Sequence, residues 1–210
     1  MEKKSILFDF DGTIADSIPW IFKEINNHAS EYGFEPIPSE KFEALRSSTL
    51  PELVKQFNIS LFKLPFFIAM MRREVKKDID KMGLCAGMKE LLLALQKKGY
   101  RMGVVSSSPK ENIEAFLLRH DLKIFEFIHS ELNIFGKSAA LEGVMREHNM
   151  KKEETIYVGD EIRDIEACKA IELDVISVTW GFSDEEGLRK HGATHLAKKP
   201  EDIAIIANSF

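Results

Sequence analysis

Two aspartates, Asp9 and Asp11, stand one residue apart directly after the short apolar run Ile6-Leu7-Phe8. A short apolar run that ends at polar residues and a glycine is typical of a buried strand. Side chains two positions apart on a strand point the same way, so both carboxylates can face one crevice if strand geometry persists. Two carboxylates at one point repel each other unless a cation joins them, and Mg²⁺ prefers oxygen ligands. The pair therefore predicts a magnesium site, while an ordinary strand followed by an Asp-Gly turn is the alternative.

Serines and a lysine stand at two further points where a helical pattern begins. Ser106, Ser107 and Ser108 close an apolar run before Pro109, and Lys137 opens a later helix. Serine hydroxyls and free amides at a helix N-terminus can bind phosphate, and the same serines can instead cap the helix. A cation at a helix N-terminus opposes the helix dipole, so the position of Lys137 favours a role with anions over a purely structural one.

A second pair of acids, Asp160 and Asp164, follows the apolar run 155–159. Asp160 is placed to complete the ligand shell of a cation, and Asp164 to orient Lys137 or a metal-bound water. An aspartate at this point can also serve as a simple helix cap. Glu161 either points to solvent or adds negative charge near the metal, and the sequence leaves both open.

Short apolar runs alternate with helical patterns over most of the chain, which indicates the elements that position these residues. Strands are predicted over residues 6–8, 100–106, 125–128, 155–159, 175–179 and 195–197. Such alternation is typical of a parallel sheet covered by helices on both faces. We therefore predict an α/β fold with a three-layer, doubly wound, Rossmann-like parallel sheet of five or six strands. In such sheets the chemistry lies beyond the carboxyl ends of the strands.

Residues 17–82 interrupt this alternation with helical patterns alone. Ser17 is the predicted cap of a helix that stops at Gly33, and Thr49-Leu50-Pro51-Glu52 is a capping-box pattern that opens a later helix. The last helix of the block carries one apolar stripe, Leu64, Ile68, Met71, Val75 and Ile79. We predict a core domain of residues 1–16 and 83–210 and an all-helical cap domain of residues 17–82, with hinges near residues 15–19 and 83–87.

The composition excludes several classes of protein. The 210 residues are 44% hydrophobic and 30% charged with a net charge of −5, which is typical of a soluble globular protein and argues against a general nucleic-acid binder. No apolar run approaches a membrane span, and charged residues lead directly into the first strand. We therefore expect no nucleic-acid or membrane partner and a cytoplasmic location. Cys85 and Cys168 do not suggest a zinc site or a disulfide framework and are expected to be reduced.

The order of these motifs resembles the haloacid dehalogenase-like (HAD) superfamily of hydrolases over nearly the whole chain. The matching positions are Asp9-Phe10-Asp11-Gly12-Thr13, Ser106, Lys137, and Gly159-Asp160 with Asp164. In the phosphatases of this superfamily, the first aspartate is the nucleophile and the second is the general acid and base. The resemblance therefore implies that Asp9 is phosphorylated and that Asp11 protonates the leaving group and then activates water.

The same resemblance implies a set of binding residues. Mg²⁺ is held by Asp9, the backbone carbonyl of Asp11 and Asp160, and Asp164 lies outside the ligand shell. The phosphate-binding groups that it implies are the Phe10 amide, Ser106, Ser107 and Lys137.

The helical block looks like the cap of the phosphoglycolate phosphatase-like branch of this superfamily. Within it, Arg46 could reach an anionic group of the substrate, and a plain surface arginine is the alternative. Trp180-Gly181 resembles a loop that borders the site in that branch. Glu161 departs from the pattern, because a small residue is common at its position.

These features together imply a Mg²⁺-dependent phosphatase that acts on small phosphomonoesters, with 2-phosphoglycolate as the leading substrate by resemblance only. A dehalogenase of the same fold needs no second acid, so Asp11 argues against it. A phosphomutase is an alternative, although residues 16–20 lack the histidine that such mutases carry in this hinge. A non-catalytic binding protein is another alternative. All four motifs contain chemically competent residues, which argues against it. The expected partner is a small phosphorylated metabolite, and the sequence predicts no oligomeric state.

Overall fold

Six parallel strands form one sheet that is flanked by helices, as seen in a computed structural model that describes residues 4–133 and 136–209. The strands are β1 (Ser5–Phe8), β2 (Arg101–Ser106), β3 (Phe127–Ser130), β4 (Thr155–Gly159), β5 (Asp174–Val178) and β6 (His195–Ala197). The helices are α1 (Ile18–Tyr32), α2 (Ser39–Leu45), α3 (Leu50–Gln56), α4 (Leu64–Asp78), α5 (Met88–Lys97), α6 (Lys110–Arg119), α7 (Lys137–Glu147), α8 (Ile162–Ala170), α9 (Glu185–Lys190) and α10 (Pro200–Ala207). The sheet order β3-β2-β1-β4-β5-β6 confirms the predicted doubly wound fold.

Alternate residues of β1 face opposite sides of the sheet and belong to two separate cores. Ile6 and Phe8 pack with side chains of α5, α6 and α10, whereas Leu7 packs with side chains of α7, α8 and α9. All three are fully buried, because helices cover both faces of a central parallel strand. The three predicted layers are therefore confirmed.

The third strand lies later in the chain than predicted. β3 covers Phe127–Ser130, two residues beyond the predicted 125–128. Its register places Phe127 beside Gly103 of β2, and the Phe127 ring occupies the space that a side chain at position 103 would need. Packing on Gly103, which no local apolar pattern reveals, therefore sets the start of this strand.

Helices α1 to α4 form an insertion between β1 and β2. The capping box at α3 is confirmed, since the Thr49 amide donates to Glu52 at 2.7 Å and the Glu52 amide donates to Thr49 Oγ1 at 3.4 Å. Gly33 ends α1 with the expected positive φ of 84°. Ser17 is the N-cap residue of α1 as predicted, but its backbone is already helical (φ −93°, ψ −15°) and its hydroxyl makes no capping hydrogen bond.

The two connections between this insertion and the sheet run side by side. Ala15 pairs with Leu84 in an isolated antiparallel bridge, and the Cys85 amide donates to the Ile14 carbonyl at 2.9 Å. The insertion therefore leaves and rejoins the sheet at one place.

The two cysteines, Cys85 and Cys168, are free and buried. Burial raises the pKa of the Cys85 thiol to about 12, so it stays protonated at neutral pH. Within the described ranges, no helix combines the length and the apolar character that a bilayer crossing requires.

Candidate functional site

The side chains predicted to do chemistry meet beyond the carboxyl ends of the central strands. Asp9 follows β1, Ser106 ends β2, and Asp160 follows β4. Because β1 pairs in parallel with both β2 and β4, the ends of the three strands lie next to one another. Lys137 enters the same place from the first residue of α7. The chain order reverses between β1 and β4, and open α/β sheets bind ligands at such a point.

Lys137 lies between two buried carboxylates. Its Nζ is 2.5 Å from Asp9 Oδ2 and also donates to Asp164 Oδ1. Burial disfavours the charge of Lys137, but Asp164 and Asp9 outweigh this effect and raise the pKa of the lysine. Burial would raise the pKa of Asp9, but attraction to Lys137 and Arg163 lowers it. The pair therefore consists of a charged lysine and an ionised Asp9.

Asp160 is oriented by the loops that follow β1 and β5. Its Oδ1 accepts from the Thr13 hydroxyl at 2.9 Å, and its Oδ2 accepts from the Phe182 amide at 2.7 Å. Its backbone carbonyl accepts from the Ser183 amide at 3.1 Å. Burial and repulsion from neighbouring carboxylates, Glu161 first, raise the pKa of Asp160 well above its usual range. A cation beside Asp160 would remove this repulsion.

Three buried carboxylates form a group that fits a divalent cation. One oxygen from each of Asp9, Asp160 and Asp164 lies within 4.8 Å of the other two. Mg²⁺ prefers such hard oxygen ligands. Each of the three carboxylates accepts a hydrogen bond at both of its oxygens, so these contacts do not distinguish the ligands, and the assignment to Asp9 and Asp160 stays a prediction. The predicted contribution of Asp11 is a backbone carbonyl outside this side-chain group, and it stays a prediction.

Asp11 is held by a serine instead of the lysine. The Ser108 hydroxyl donates to Asp11 Oδ2, and Oδ1 is buried. Burial raises the pKa of Asp11, although the hydrogen bond from Ser108 opposes the increase. A carboxyl group with a raised pKa is suited to general acid catalysis.

The three consecutive serines have three different partners. The Ser106 hydroxyl is buried and accepts from the Ser108 amide at 3.3 Å, and the Ser107 hydroxyl accepts from Arg163 at 3.3 Å. Ser108 does not cap α6, whose N-cap is Pro109, so the capping alternative is wrong for this residue. Phosphate binding by Ser106 and Ser107 stays a prediction.

Phe10 contributes its backbone and not its ring to this region. Its amide donates to Asp9 Oδ1 at 2.7 Å. Its ring is fully buried, with the Phe116 ring centroid 5.1 Å away in an edge-to-face arrangement. The predicted phosphate contact of Phe10 can therefore involve only the amide.

Arg46 connects the insertion to the loop that orients Asp160. Its Nε donates to the Phe182 carbonyl at 3.0 Å, and one Nη donates to the carbonyls of Gly181 at 3.0 Å and Thr179 at 3.2 Å. These contacts show that Arg46 is more than a free surface arginine. Its predicted contact with an anionic substrate group stays a prediction.

Glu161, which departs from the family pattern, is neutralised by a neighbour. Both of its carboxylate oxygens accept from Arg163 at 2.7 Å. The Glu161 amide also donates to Asp164, which completes a capping box at the start of α8. Glu161 is therefore paired with a cation, although its charge still contributes to the raised pKa of Asp160.

Sequence reasoning missed three residues of this region: Thr13, Ser108 and Arg163. Thr13 lies within the Asp-x-Asp-Gly-Thr string, so its position was a usable signal. The sequence suggests phosphate binding or helix capping for Ser108, and neither predicts its contact with Asp11. Arg163 could have been found from its acidic neighbours, Glu161 and Asp164, because a buried acidic cluster requires cations.

Comparisons with known proteins agree with this geometry. A family model described as haloacid dehalogenase-like hydrolase matches residues 6–178. The phosphoglycolate phosphatase of Synechococcus elongatus is 31% identical over 201 residues, which cover 95% of both chains. A solved structure described as a predicted phosphatase from Clostridium acetobutylicum has a TM-score of 0.83 at 21% identity, with all of both chains covered. A haloacid dehalogenase-like hydrolase from Streptococcus pneumoniae has a TM-score of 0.79 at 20% identity, covering 97% of this chain and 98% of its own. At these identities the two structures support the fold alone.

Proposed function

This chain belongs to the haloacid dehalogenase-like hydrolase family and is one of its phosphatases, and we propose that it uses Mg²⁺ to hydrolyse small phosphomonoesters through a phosphorylated Asp9. The observation that carries the proposal is the buried group of Asp9, Asp160, Asp164 and Lys137 at the strand ends. 2-Phosphoglycolate, the substrate in the name of the Synechococcus relative, is the first compound to test.

Asp9 is the proposed nucleophile. One of its oxygens bonds to phosphorus while the bond from phosphorus to the leaving oxygen breaks, which yields an acyl phosphate and an alcohol. The lowered pKa of Asp9 keeps it ionised, and the Phe10 amide at 2.7 Å fixes the direction of the carboxylate. Water then attacks phosphorus, which releases inorganic phosphate and restores Asp9.

Asp11 is the proposed acid in the first step and the base in the second. Its proton passes to the leaving oxygen, and it later takes a proton from the attacking water, so the carboxyl returns to its starting state. The raised pKa of Asp11 and the hydrogen bond from Ser108 support this assignment.

Positive charge and hydrogen-bond donors would stabilise the transferring phosphoryl group. Lys137 is charged and lies against Asp9, so it can contact a phosphate oxygen as well as the nucleophile. Ser106 and the Phe10 amide are the proposed additional donors. When bound by Asp9 and Asp160, Mg²⁺ supplies positive charge that offsets both the phosphate and the nucleophile.

We further propose that residues 17–82 act as a cap over this site. The adjacent linkers would let the insertion move as a unit, because both chain connections cross at the Ala15–Leu84 bridge. Arg46 would hold the closed position through its contacts with the carbonyls of the loop after β5. The free cysteines fit the cytoplasmic location that we propose for this protein.

The direct test is phosphate release from p-nitrophenyl phosphate and 2-phosphoglycolate with Mg²⁺ and with EDTA. We expect release that requires Mg²⁺, and an acid-quenched reaction should contain a peptide in which Asp9 carries one phosphoryl group. Transfer of phosphate between two positions of a sugar, without release, would favour the phosphomutase. Inactivity towards every phosphomonoester with Mg²⁺ would favour the non-catalytic binding protein.

A methyl group at Gly181 should disturb the metal-binding group. A Cβ at Gly181 would lie 2.2 Å from Asp160 Cβ, so either the loop or Asp160 must move. A displacement of about 1 Å can cost roughly 10²-fold in rate, and altered support of a metal ligand costs about 10- to 100-fold in affinity. We expect Gly181→Ala to show losses of this size in kcat/KM and in the Mg²⁺ titration of phosphate release.

Gly143 provides the matched control for this substitution. It lies in α7, the helix that begins with Lys137, and a Cβ there would meet nothing within 4 Å. Gly143→Ala should keep the Mg²⁺ dependence of the unmodified protein and raise its stability by up to about 1 kcal/mol through helix propensity. If Gly181→Ala and Gly143→Ala gave identical Mg²⁺ titrations, the proposed role of Asp160 as a Mg²⁺ ligand would be contradicted.

A further inference from the structure

The four helices of the insertion enclose a cavity of about 390 Å³, and we propose that it binds an apolar leaving group of the phosphomonoester substrate. This inference rests on the proposed phosphatase function and specifies its substrate class. Each helix contributes apolar side chains to the lining, among them Phe22, Phe42, Leu53, Phe67, Ile68 and Met71.

The cavity is continuous with the proposed catalytic residues. Asp11, Ser108 and Arg163 line its side nearest the sheet. In the proposed reaction, Asp11 gives its proton to the leaving oxygen. The carbon group attached to that oxygen must therefore extend away from Asp9 past Asp11, and the cavity of the insertion begins there.

The lining favours an apolar group over a second anionic group. The charged residues that line the cavity in the described part of the chain are Asp11, Arg72, Glu161, Arg163 and Glu166. Arg163 is already paired with both oxygens of Glu161, and Arg72 donates to the Leu132 carbonyl at 2.6 Å. A substrate carboxylate that entered the cavity would lose water and meet mostly aliphatic and aromatic side chains. The carboxylate of 2-phosphoglycolate is poorly matched to this environment.

The apolar lining also retains surface that a ligand could cover. Phe22, Leu53 and Phe67 are only partly buried, whereas Phe8 and Phe10 in the main core are fully buried. Covering the exposed parts of these side chains with an apolar group is favourable, because it removes their surface from water. Pockets for small molecules are typically about 300–1,000 Å³ with this kind of lining. At about 30 Å³ for a water-sized group, the cavity holds roughly a dozen non-hydrogen atoms.

The experiment is a series of monoalkyl phosphates from methyl to octyl, with 2-phosphoglycolate beside it, at one Mg²⁺ concentration. We expect kcat/KM to rise about fourfold per added methylene, the factor that corresponds to about 0.8 kcal/mol per buried CH₂. Octyl phosphate should then exceed 2-phosphoglycolate. A flat series, or a preference for 2-phosphoglycolate, would overturn this inference and leave the phosphatase proposal intact. No hydrolysis of any ester would overturn the phosphatase proposal itself.

Two neighbouring positions on α4 give a matched pair of variants. Ile68 lines the cavity, whereas Ala69 is exposed on the outside of the same helix. Ile68→Trp should fill the cavity and lower the ratio of octyl to methyl phosphate hydrolysis at least about tenfold, and Ala69→Trp should keep the ratio. Equal ratios in the two variants would contradict the assignment. The chain-length series on the unmodified protein needs no variant, so a folding defect in Ile68→Trp leaves the inference testable.

Discussion

Replacing Asp9 with asparagine should reduce phosphate release at least about 10⁴-fold, because the variant lacks the oxygen nucleophile on which the proposed covalent step depends. Asparagine has nearly the same shape, and its one carbonyl oxygen can accept from either the Phe10 amide or Lys137. Lys137 would keep Asp164 as a charged partner. We therefore expect Asp9→Asn to fold normally, as measured by circular dichroism, while it forms no acyl phosphate in acid-quenched reactions.

Asp174 supplies the control for this experiment. It is exposed and is the first residue of β5. It therefore lies at the amino ends of the parallel strands, whereas the site lies beyond their carboxyl ends. Asp174→Asn should release phosphate at the rate of the unmodified protein, because only the loss of the Asp9 carboxylate removes the nucleophile. Substantial turnover by Asp9→Asn, with Mg²⁺ dependence unchanged, would exclude catalysis through an aspartyl phosphate.

The elements of the sheet and the positions of its acidic residues could be predicted because both follow from local patterns. Asp9 and Asp160 each come directly after an apolar run, and parallel strands bring such positions to one edge whatever the intervening sequence is. Lys137 could be included because a lysine at a helix N-terminus is disfavoured without an anion nearby. These inferences need only strand direction and helix polarity.

The partners of individual side chains could not be predicted in the same way. Ser106, Ser107 and Ser108 are chemically identical, yet they contact a backbone amide, Arg163 and Asp11 respectively. The direction of each hydroxyl depends on how the loop after β2 meets the loops after β1 and β4. The Ser106 contact is local, but the contacts of Ser107 and Ser108 join residues far apart in the sequence, so no local pattern contains them.

The cavity of the insertion illustrates a second limit. The apolar stripe predicted for the last helix of the insertion indicates an amphipathic helix, and the structure contains that helix as α4. Apolar periodicity indicates which face turns inward, but it does not reveal whether the facing side chains fill the space between helices. Packing depends on side-chain volumes across four helices at once, so the space beside Phe67 and Ile68 appears only in three dimensions.

Replacing Lys137 with methionine should damage both the activity and the stability of the protein. The change would leave Asp9 and Asp164 buried without their shared cation, and breaking a buried ion pair from one side costs about 3–5 kcal/mol. Loss of a charge that stabilises the transferring phosphoryl group should lower kcat by roughly 10²–10³-fold. Urea unfolding without Mg²⁺ measures the first effect, and phosphate release measures the second.

Lys110 supplies the control for this prediction. Like Lys137, it is the first residue of a helix, in this case α6. Unlike Lys137, it is exposed, and its Nζ lies 3.8 Å from a Glu114 carboxylate oxygen. Lys110→Met removes the same charge from an equivalent helix position, so it controls for the interaction of a cation with the helix dipole. A surface change of this kind alters unfolding free energy by about 0.5 kcal/mol or less. If Lys137→Met unfolded at the same urea concentration as Lys110→Met, the buried contacts with Asp9 and Asp164 would not stabilise the fold. Added Mg²⁺ should recover part of the stability lost in Lys137→Met, because a cation that binds the folded carboxylate group favours the folded state.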